Sequence, residues 1–192
     1  MFASSSKKYS AEDVFSIVTV GRIAPIKGYD TLIAAMERLS GKGQRFALKI
    51  IGGPAVPADE DYMKLLKDDV EKKNLSGNVS FVGPVPNSEI PSHLAQADLF
   101  INLSDTGSVD KAVLEAMSVG SLVLTSNEAF KEILEPQFMF EPKNSEDLAT
   151  KISNLVSRSS EHEGMGKRLR QVVVGRFNLK NLIIKISEIY HE

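Results

Sequence analysis

The residue types that stand just after the apolar runs of this chain suit the handling of an anion. Arg22 follows the run Phe15 to Val20, and Lys27 comes five positions later. An arginine binds a phosphate through its planar fork, and a lysine acts on it as a point charge. Gly21, Gly52-Gly53 and Gly83-Pro84 follow three successive apolar runs. Glycine there lets a ligand come close to the backbone. The densest stretch is LSDTGSVDKAVLEAMSVGSLVLTS, from Leu103 to Ser126. Asp105, Thr106, Gly107 and Ser108 suit a turn whose N–H groups point outward. The helix predicted next, Lys111 to Val119, presents unpaired donors and partial positive charge to an anion at its N-terminus. Glu115, about one turn into that helix, is placed to accept hydrogen bonds from ligand hydroxyls.

Each of these residues also has an ordinary structural reading. Arg22 and Lys27 read equally as solvated loop charges, and Gly52-Gly53 as turn punctuation. Lys111 and Glu115 stand at i, i+4 and form a surface helix pair on that reading. Asp110 reads as an N-cap. The weight lies in their order along one chain.

The elements that must position these residues alternate. Strands are predicted at Phe15 to Val20, Phe46 to Ile51, Val79 to Val82, Leu99 to Leu103 and Leu122 to Leu124, with Phe138 to Phe140 as a sixth, edge strand. Helices are predicted from Asp30, as N-cap, to Leu39, from Asp59 to Lys73, and from Ser88 to Ala95. Others follow at Lys111 to Val119, Ala129 to Leu134, Ser145 to about Val156, Lys167 to Val174 and Leu179 to Tyr190. The inward face of the second helix reads as Tyr62, Leu65, Leu66 and Val70, and that of the fourth as Ala112, Ala116 and Val119. Short strands apolar on both faces, alternating with helices, predict an α/β fold: a Rossmann-like, doubly wound parallel sheet of about six strands with helices on both faces. Ligands of such sheets sit beyond the carboxyl ends of the strands, where the residues above cluster.

The chain as a whole narrows the function classes. Its 192 residues suffice for one well-buried α/β domain. Apolar residues make up 42% and charged residues 25%, and the net charge is -2. That balance carries no electrostatic footprint for nucleic acid. There are no cysteines, which removes disulfides and thiolate metal sites, and the three histidines show no ligand spacing. No metal and no cofactor is expected. Met1 to Asp13 is polar and reads as a linker without the apolar core of a signal peptide. No apolar run approaches the roughly 20 residues of a membrane span. A cytoplasmic setting is expected, with any membrane association, at its cytoplasmic face, through chain not present here.

No G-x-G-x-x-G follows a strand and no G-x-x-x-x-G-K-[ST] occurs, so the dinucleotide turn and the P-loop are both missing. The stretches VGRIAPIKGYDTLIAAMERL, LKIIGG, VSFVGPVPNSEIPSHLAQADLFINLS and VLEAMSVGSLVLTS occur in this order. In them the chain resembles the C-terminal, donor-binding domain of GT-B glycosyltransferases of family 4 (glycosyl transferases group 1), from Val14 to Tyr190. The resemblance implies transfer of a sugar from a nucleoside-diphosphate sugar, UDP- or GDP-linked, to a glycan, lipid-linked or small acceptor, with retention at the anomeric carbon. It implies that residues 14–192 bind the donor and that a separate N-terminal domain, absent from this chain, holds the acceptor. The chain is then expected to bind nucleotide but to transfer little on its own.

Carried onto these residues, the resemblance makes Arg22 and Lys27 catalytic, clamping the diphosphate and stabilising the leaving group. Gly21, Gly52 and Gly53 would let the nucleotide approach, and Val82 would meet the base through its backbone. Backbone N–H groups around Ser108, Asp110 and Lys111 would face phosphate and sugar. Glu115 matches the second glutamate of the family's E-x7-E motif, which accepts the ribose hydroxyls. The departure lies at Gly107-Ser108-Val109-Asp110, where the family usually has Glu-Gly-Phe-Gly. Gly107 stands in place of the first motif glutamate, which leaves two readings: a variant branch, or a nucleotide-sugar binding or regulatory module that has lost transfer. An NAD-dependent nucleotide-sugar enzyme on a similar sheet is a further alternative.

Overall fold

The computed structural model of the protein describes residues 13–104 and 107–177. Short runs of large apolar and β-branched residues form five strands: β1 (Phe15–Val20), β2 (Phe46–Ile51), β3 (Val79–Gly83), β4 (Leu99–Asn102) and β5 (Leu122–Thr125). All pair in parallel, in the order β3-β2-β1-β4-β5. The register sets Phe15 beside Phe46 and Leu99 beside Leu122, so large side chains stack across the sheet. Every residue of β4 and β5 is buried. That is why these strands read as continuous apolar runs: a parallel sheet is covered on both faces.

Among the described residues six α-helices cover it: α1 (Tyr29–Gly41), α2 (Pro57–Lys72), α3 (Ile90–Gln96), α4 (Lys111–Val119), α5 (Ser145–Ser157) and α6 (His162–Arg176). The β1-to-β2 and β4-to-β5 crossovers run in opposite directions across the sheet. Parallel crossovers are right-handed, so α1 and α4 lie on opposite faces. In keeping with this, α1 packs on α2 and α5, while α4 packs on α3 and α6. The direction of winding reverses between β1 and β4, and that reversal opens the crevice at their carboxyl ends.

The contact of α4 with α6 depends on two glycines. Gly120 ends α4 in the left-handed conformation, at φ 82°, and donates its N–H to the carbonyls of Ala116 and Met117. Its own carbonyl lies against Gly166 of α6, where any β-carbon would overlap it. Gly166→Ala is expected to lower stability by about 2–4 kcal/mol, as overpacking against rigid backbone does. A thermal melt reads this as a fall of roughly 4–16 °C for a domain of this size. An unchanged melting temperature would mean that α6 slides away without cost.

Several predicted boundaries shift. Among the described residues the sheet has five strands: Phe138 to Phe140, expected as a sixth, makes one bridge, Thr125 to Met139. Pro136 and Pro142 bracket this run, and a 3-10 turn at Pro136–Phe138 takes up its first residue, so no ladder can extend. Phe138 and Phe140 instead anchor the loop in the core. Gly28, not Asp30, caps α1, and Asn144 rather than Ser145 caps α5 by accepting from the N–H groups of Glu146 and Asp147. On α4 the buried residues are Val113, Ala116 and Met117, and Leu65 of α2 is exposed rather than inward. The predicted helix Leu179 to Tyr190 lies outside the described residues, as does Met1 to Glu12.

Candidate functional site

Backbone hydrogen bonds tie the carboxyl ends of β1, β2 and β3 together. Gly21 N–H donates to the Ile51 carbonyl at 3.0 Å, Ile23 N–H to Gly53 at 3.0 Å, and Gly52 N–H to Gly83 at 2.9 Å. The glycines serve this closure. Gly52 has φ 130°, and the space a β-carbon would need is filled by the Gly21 carbonyl oxygen. A β-carbon at Gly53 would meet only the Pro84 ring, at an ordinary contact distance of 3.5 Å. The same Gly21 carbonyl accepts from the Tyr29 hydroxyl of α1 at 3.3 Å. Burial raises the Tyr29 pKa well above the ordinary phenol value, so this hydroxyl keeps its proton at any physiological pH. Burial likewise pushes Tyr62 up to about 12, and its hydroxyl donates to Asp30 at 3.2 Å.

Lys27 closes a 3-10 turn, Pro25–Lys27, that bridges β1 and α1. Its ammonium reaches the far side of the crevice, 3.3 Å from Ser104 Oγ and 3.9 Å from Asp110 Oδ2. Asp110 is the N-cap of α4: Oδ1 accepts from Ala112 N–H at 3.1 Å, and Oδ2 from the Asn102 amide at 2.9 Å. Asn102, itself buried, accepts from Thr125 Oγ1 at 2.9 Å. Thr125 Oγ1 takes the Asn127 N–H at 3.1 Å, and the Asn127 amide reaches the Ser108 carbonyl at 2.7 Å. A buried polar network of this kind, with each member satisfied, holds one loop conformation. It ties Ser108 and Asp110 to the ends of β4 and β5 and sets the start of α4 beside Lys27.

The structure therefore joins Lys27, Ser104 and Asp110 in direct contact. Arg22 stands at the β2 side of the same edge, half-exposed, with Nε 3.7 Å from the buried Asp59 carboxylate. Asp59 also takes the Ala55 N–H at 3.2 Å and is the third residue of α2. Glu115 lies one turn into α4 and pairs with Lys111 at 3.3 Å, so the i, i+4 reading of that pair holds geometrically. Such an exposed pair is worth about 0.3–0.5 kcal/mol and yields easily to a ligand. Val82 is exposed near the end of β3. Gly107 is exposed with φ 71°, in the left-handed region where a glutamate would be strained. Arg22, Lys27 and Lys111 each thus stand beside a carboxylate, and an incoming anion must share them.

Sequence reasoning passed over Asn102, Asn127 and Asp59. Asn102 closes an apolar run that reads only as strand. Asp59 carried one signal, an acidic residue in a first helical turn after a proline, which suits a contact back to backbone N–H.

The family model for glycosyl transferases group 1 matches residues 2–172. The chain belongs to this family. The GDP-mannose-dependent alpha-(1-6)-phosphatidylinositol monomannoside mannosyltransferase of Mycobacterium tuberculosis is 29% identical over 128 residues, 63% of this chain and 32% of that protein. The chain thus spans about a third of the length of that curated relative. The crystal structure of the C-terminal domain of the glycosyl transferase group 1 family protein LpcC from Francisella tularensis is 26% identical. It superimposes with a TM-score of 0.78, over 86% of this chain and 87% of that one. The crystal structure of Anabaena HepE in complex with UDP gives a TM-score of 0.83 at 22% identity, over 93% of this chain and 49% of that one. The fold is therefore the Rossmann-like unit of the GT-B glycosyltransferases. No helix among the described residues is long and apolar enough to cross a membrane.

Proposed function

We propose that this chain is the donor-binding domain of a retaining glycosyltransferase that uses a nucleoside-diphosphate sugar, UDP- or GDP-linked. The observation that carries this reading is the contact of Lys27 with Ser104 and the N-cap of α4, at the reversal between β1 and β4. A diphosphate there meets a half-buried ammonium on one side and a helix N-terminus on the other. The family supports the same reading, as does the UDP held by the Anabaena neighbour. In the proposed reaction the bond from the anomeric carbon to the β-phosphate oxygen breaks. An acceptor oxygen takes its place on the same face of the ring and passes its proton to the departing β-phosphate oxygen. Arg22 and Lys27 stabilise the charge left on the departing diphosphate, so no metal is needed for that role. The ribose hydroxyls donate to Glu115, and the backbone around Val82 borders the base. The glycan, lipid-linked or small acceptor comes with a second, acceptor-binding domain, and without it transfer is slight.

Gly107 favours a second reading, a module that binds nucleotide sugars and has lost transfer. At φ 71° this residue has a backbone conformation suited to glycine, with no side chain to meet the donor sugar. Pairing the chain with its acceptor domain and assaying transfer separates the two.

Calorimetry of the chain against UDP, GDP and ADP tests the donor reading. One of the three is expected to bind, and Glu115→Gln to weaken it about 5- to 10-fold, since the amide keeps an acceptor oxygen and the change costs roughly 1 kcal/mol. No binding by any of them would reject the reading.

A further inference from the structure

A second hollow opens on the same carboxyl edge, on the α1 and α5 side of Lys27. It encloses about 290 Å³ between the first turn of α1, the ends of β4 and β5, and the loop before α5. Two hydroxyl-bearing side chains line it, Thr31 and Ser126, at 8% and 2% exposure. Among the described residues neither hydroxyl has a hydrogen-bond partner, although buried hydroxyls are normally satisfied. The helix behind them is 13 residues long and directs its N-terminal turn to the same space.

The lining says what would complete it. Asp30 and Lys143 bring one charge of each sign, so the hollow is neutral overall and selects no ion. Asp30 keeps a carboxylate that accepts hydrogen bonds, while its Oδ1 is already met by Tyr62. Pro25, Phe140 and Pro142 supply apolar walls. Apolar walls, two hydroxyls, one acceptor and one donor fit a ring with C–H faces and several hydroxyl groups. At the small end of the ligand-pocket range, roughly 300 Å³, it holds one such ring and not a nucleotide.

We propose that this hollow is a subsite for one neutral pyranose residue of the acceptor, which rests on the glycosyltransferase reading for the word acceptor. The position favours acceptor over donor. The donor's own sugar hangs from a phosphate held between Lys27 and the N-terminus of α4, and α4 lies on the opposite face of the sheet from α1. Ile26 and Gly28, the chain neighbours of Lys27, line the hollow, so a sugar seated there lies beside Lys27.

The test is amide NMR of the isotope-labelled full chain, titrated with methyl α-D-glucopyranoside, methyl α-D-mannopyranoside and methyl N-acetyl-α-D-glucosaminide. At least one is expected to shift the amides of Gly28, Thr31, Ser126 and Lys143, alone and equally with saturating UDP or UDP-glucose present. Ser126→Ala is expected to weaken that glycoside about 5-fold, one lost hydrogen bond, with the melting temperature unchanged, because the hydroxyl has no internal partner to lose. If no glycoside shifts these amides, the subsite is rejected, whatever UDP does. Shifts abolished by UDP-glucose but not by UDP would assign the hollow to the donor's own sugar and overturn the proposal equally. Failure of UDP, GDP and ADP to bind is a separate result that sinks only the donor reading, since the glycoside titration does not depend on it.

Discussion

Gly52→Ala is expected to lower the stability of this domain by about 3–5 kcal/mol and to take nucleotide binding with it. The effect has two independent sources. At φ 130° the backbone of Gly52 is in a region that a residue with a β-carbon rarely adopts. That alone costs about 1–3 kcal/mol. The β-carbon would also overlap the Gly21 carbonyl, and neither partner of that contact is a flexible side chain. Relief requires β1 and β2 to separate at their ends, which breaks the bonds from Gly21 to Ile51 and from Ile23 to Gly53. Arg22 lies between those two bonds. A thermal melt and a UDP titration on the same sample read both effects. In a domain of this size the melting temperature is expected to fall by roughly 6–20 °C. Gly53→Ala is the control: its β-carbon meets only the Pro84 ring, at an ordinary contact of 3.5 Å. Equal stability of Gly52→Ala and the native chain would show that the strand ends are not locked as described.

Lys27→Ala is expected to weaken binding of the preferred nucleoside diphosphate by about 1.5–3 kcal/mol, roughly 10- to 150-fold, with little change in stability. The Lys27 side chain is only 28% exposed, so solvent screens its charge less than that of a surface lysine. Its loss does more than remove an attraction. Asp110 would remain, held by Ala112 and Asn102, and its carboxylate would face the incoming diphosphate without the charge that now balances it. Arg22→Ala is expected to do less, because its side chain is half-exposed and paired at the β2 side. Calorimetry on the two variants with UDP and GDP measures the difference. Native affinity in Lys27→Ala would remove Lys27 from the site.

Much of the fold was legible from local pattern. Period and punctuation placed all five strands to within a residue or two, because each is a short apolar run bounded by Gly, Pro or polar residues. The edge strand at Phe138 to Phe140 did not form, since apolar character there reflects burial of single side chains and not ladder formation. The cap of α1 was misplaced for a similar reason. Asp30 has the right side chain, but Gly28 has the backbone conformation that the preceding 3-10 turn demands.

By itself, then, the sequence determined the alternating α/β order and the strand ends at which the glycines and the cations Arg22 and Lys27 gather. Those follow from residue type and near-neighbour spacing. Only the tertiary structure decided which charges meet. Lys27 and Asp110 are 83 positions apart in the chain and Arg22 and Asp59 are 37 apart, so the crossovers and the strand order bring each pair together. The same holds for the glycine at 52, whose missing side chain makes room for a carbonyl of another strand. Contacts between distant segments depend on how the sheet is wound, and no local period records that.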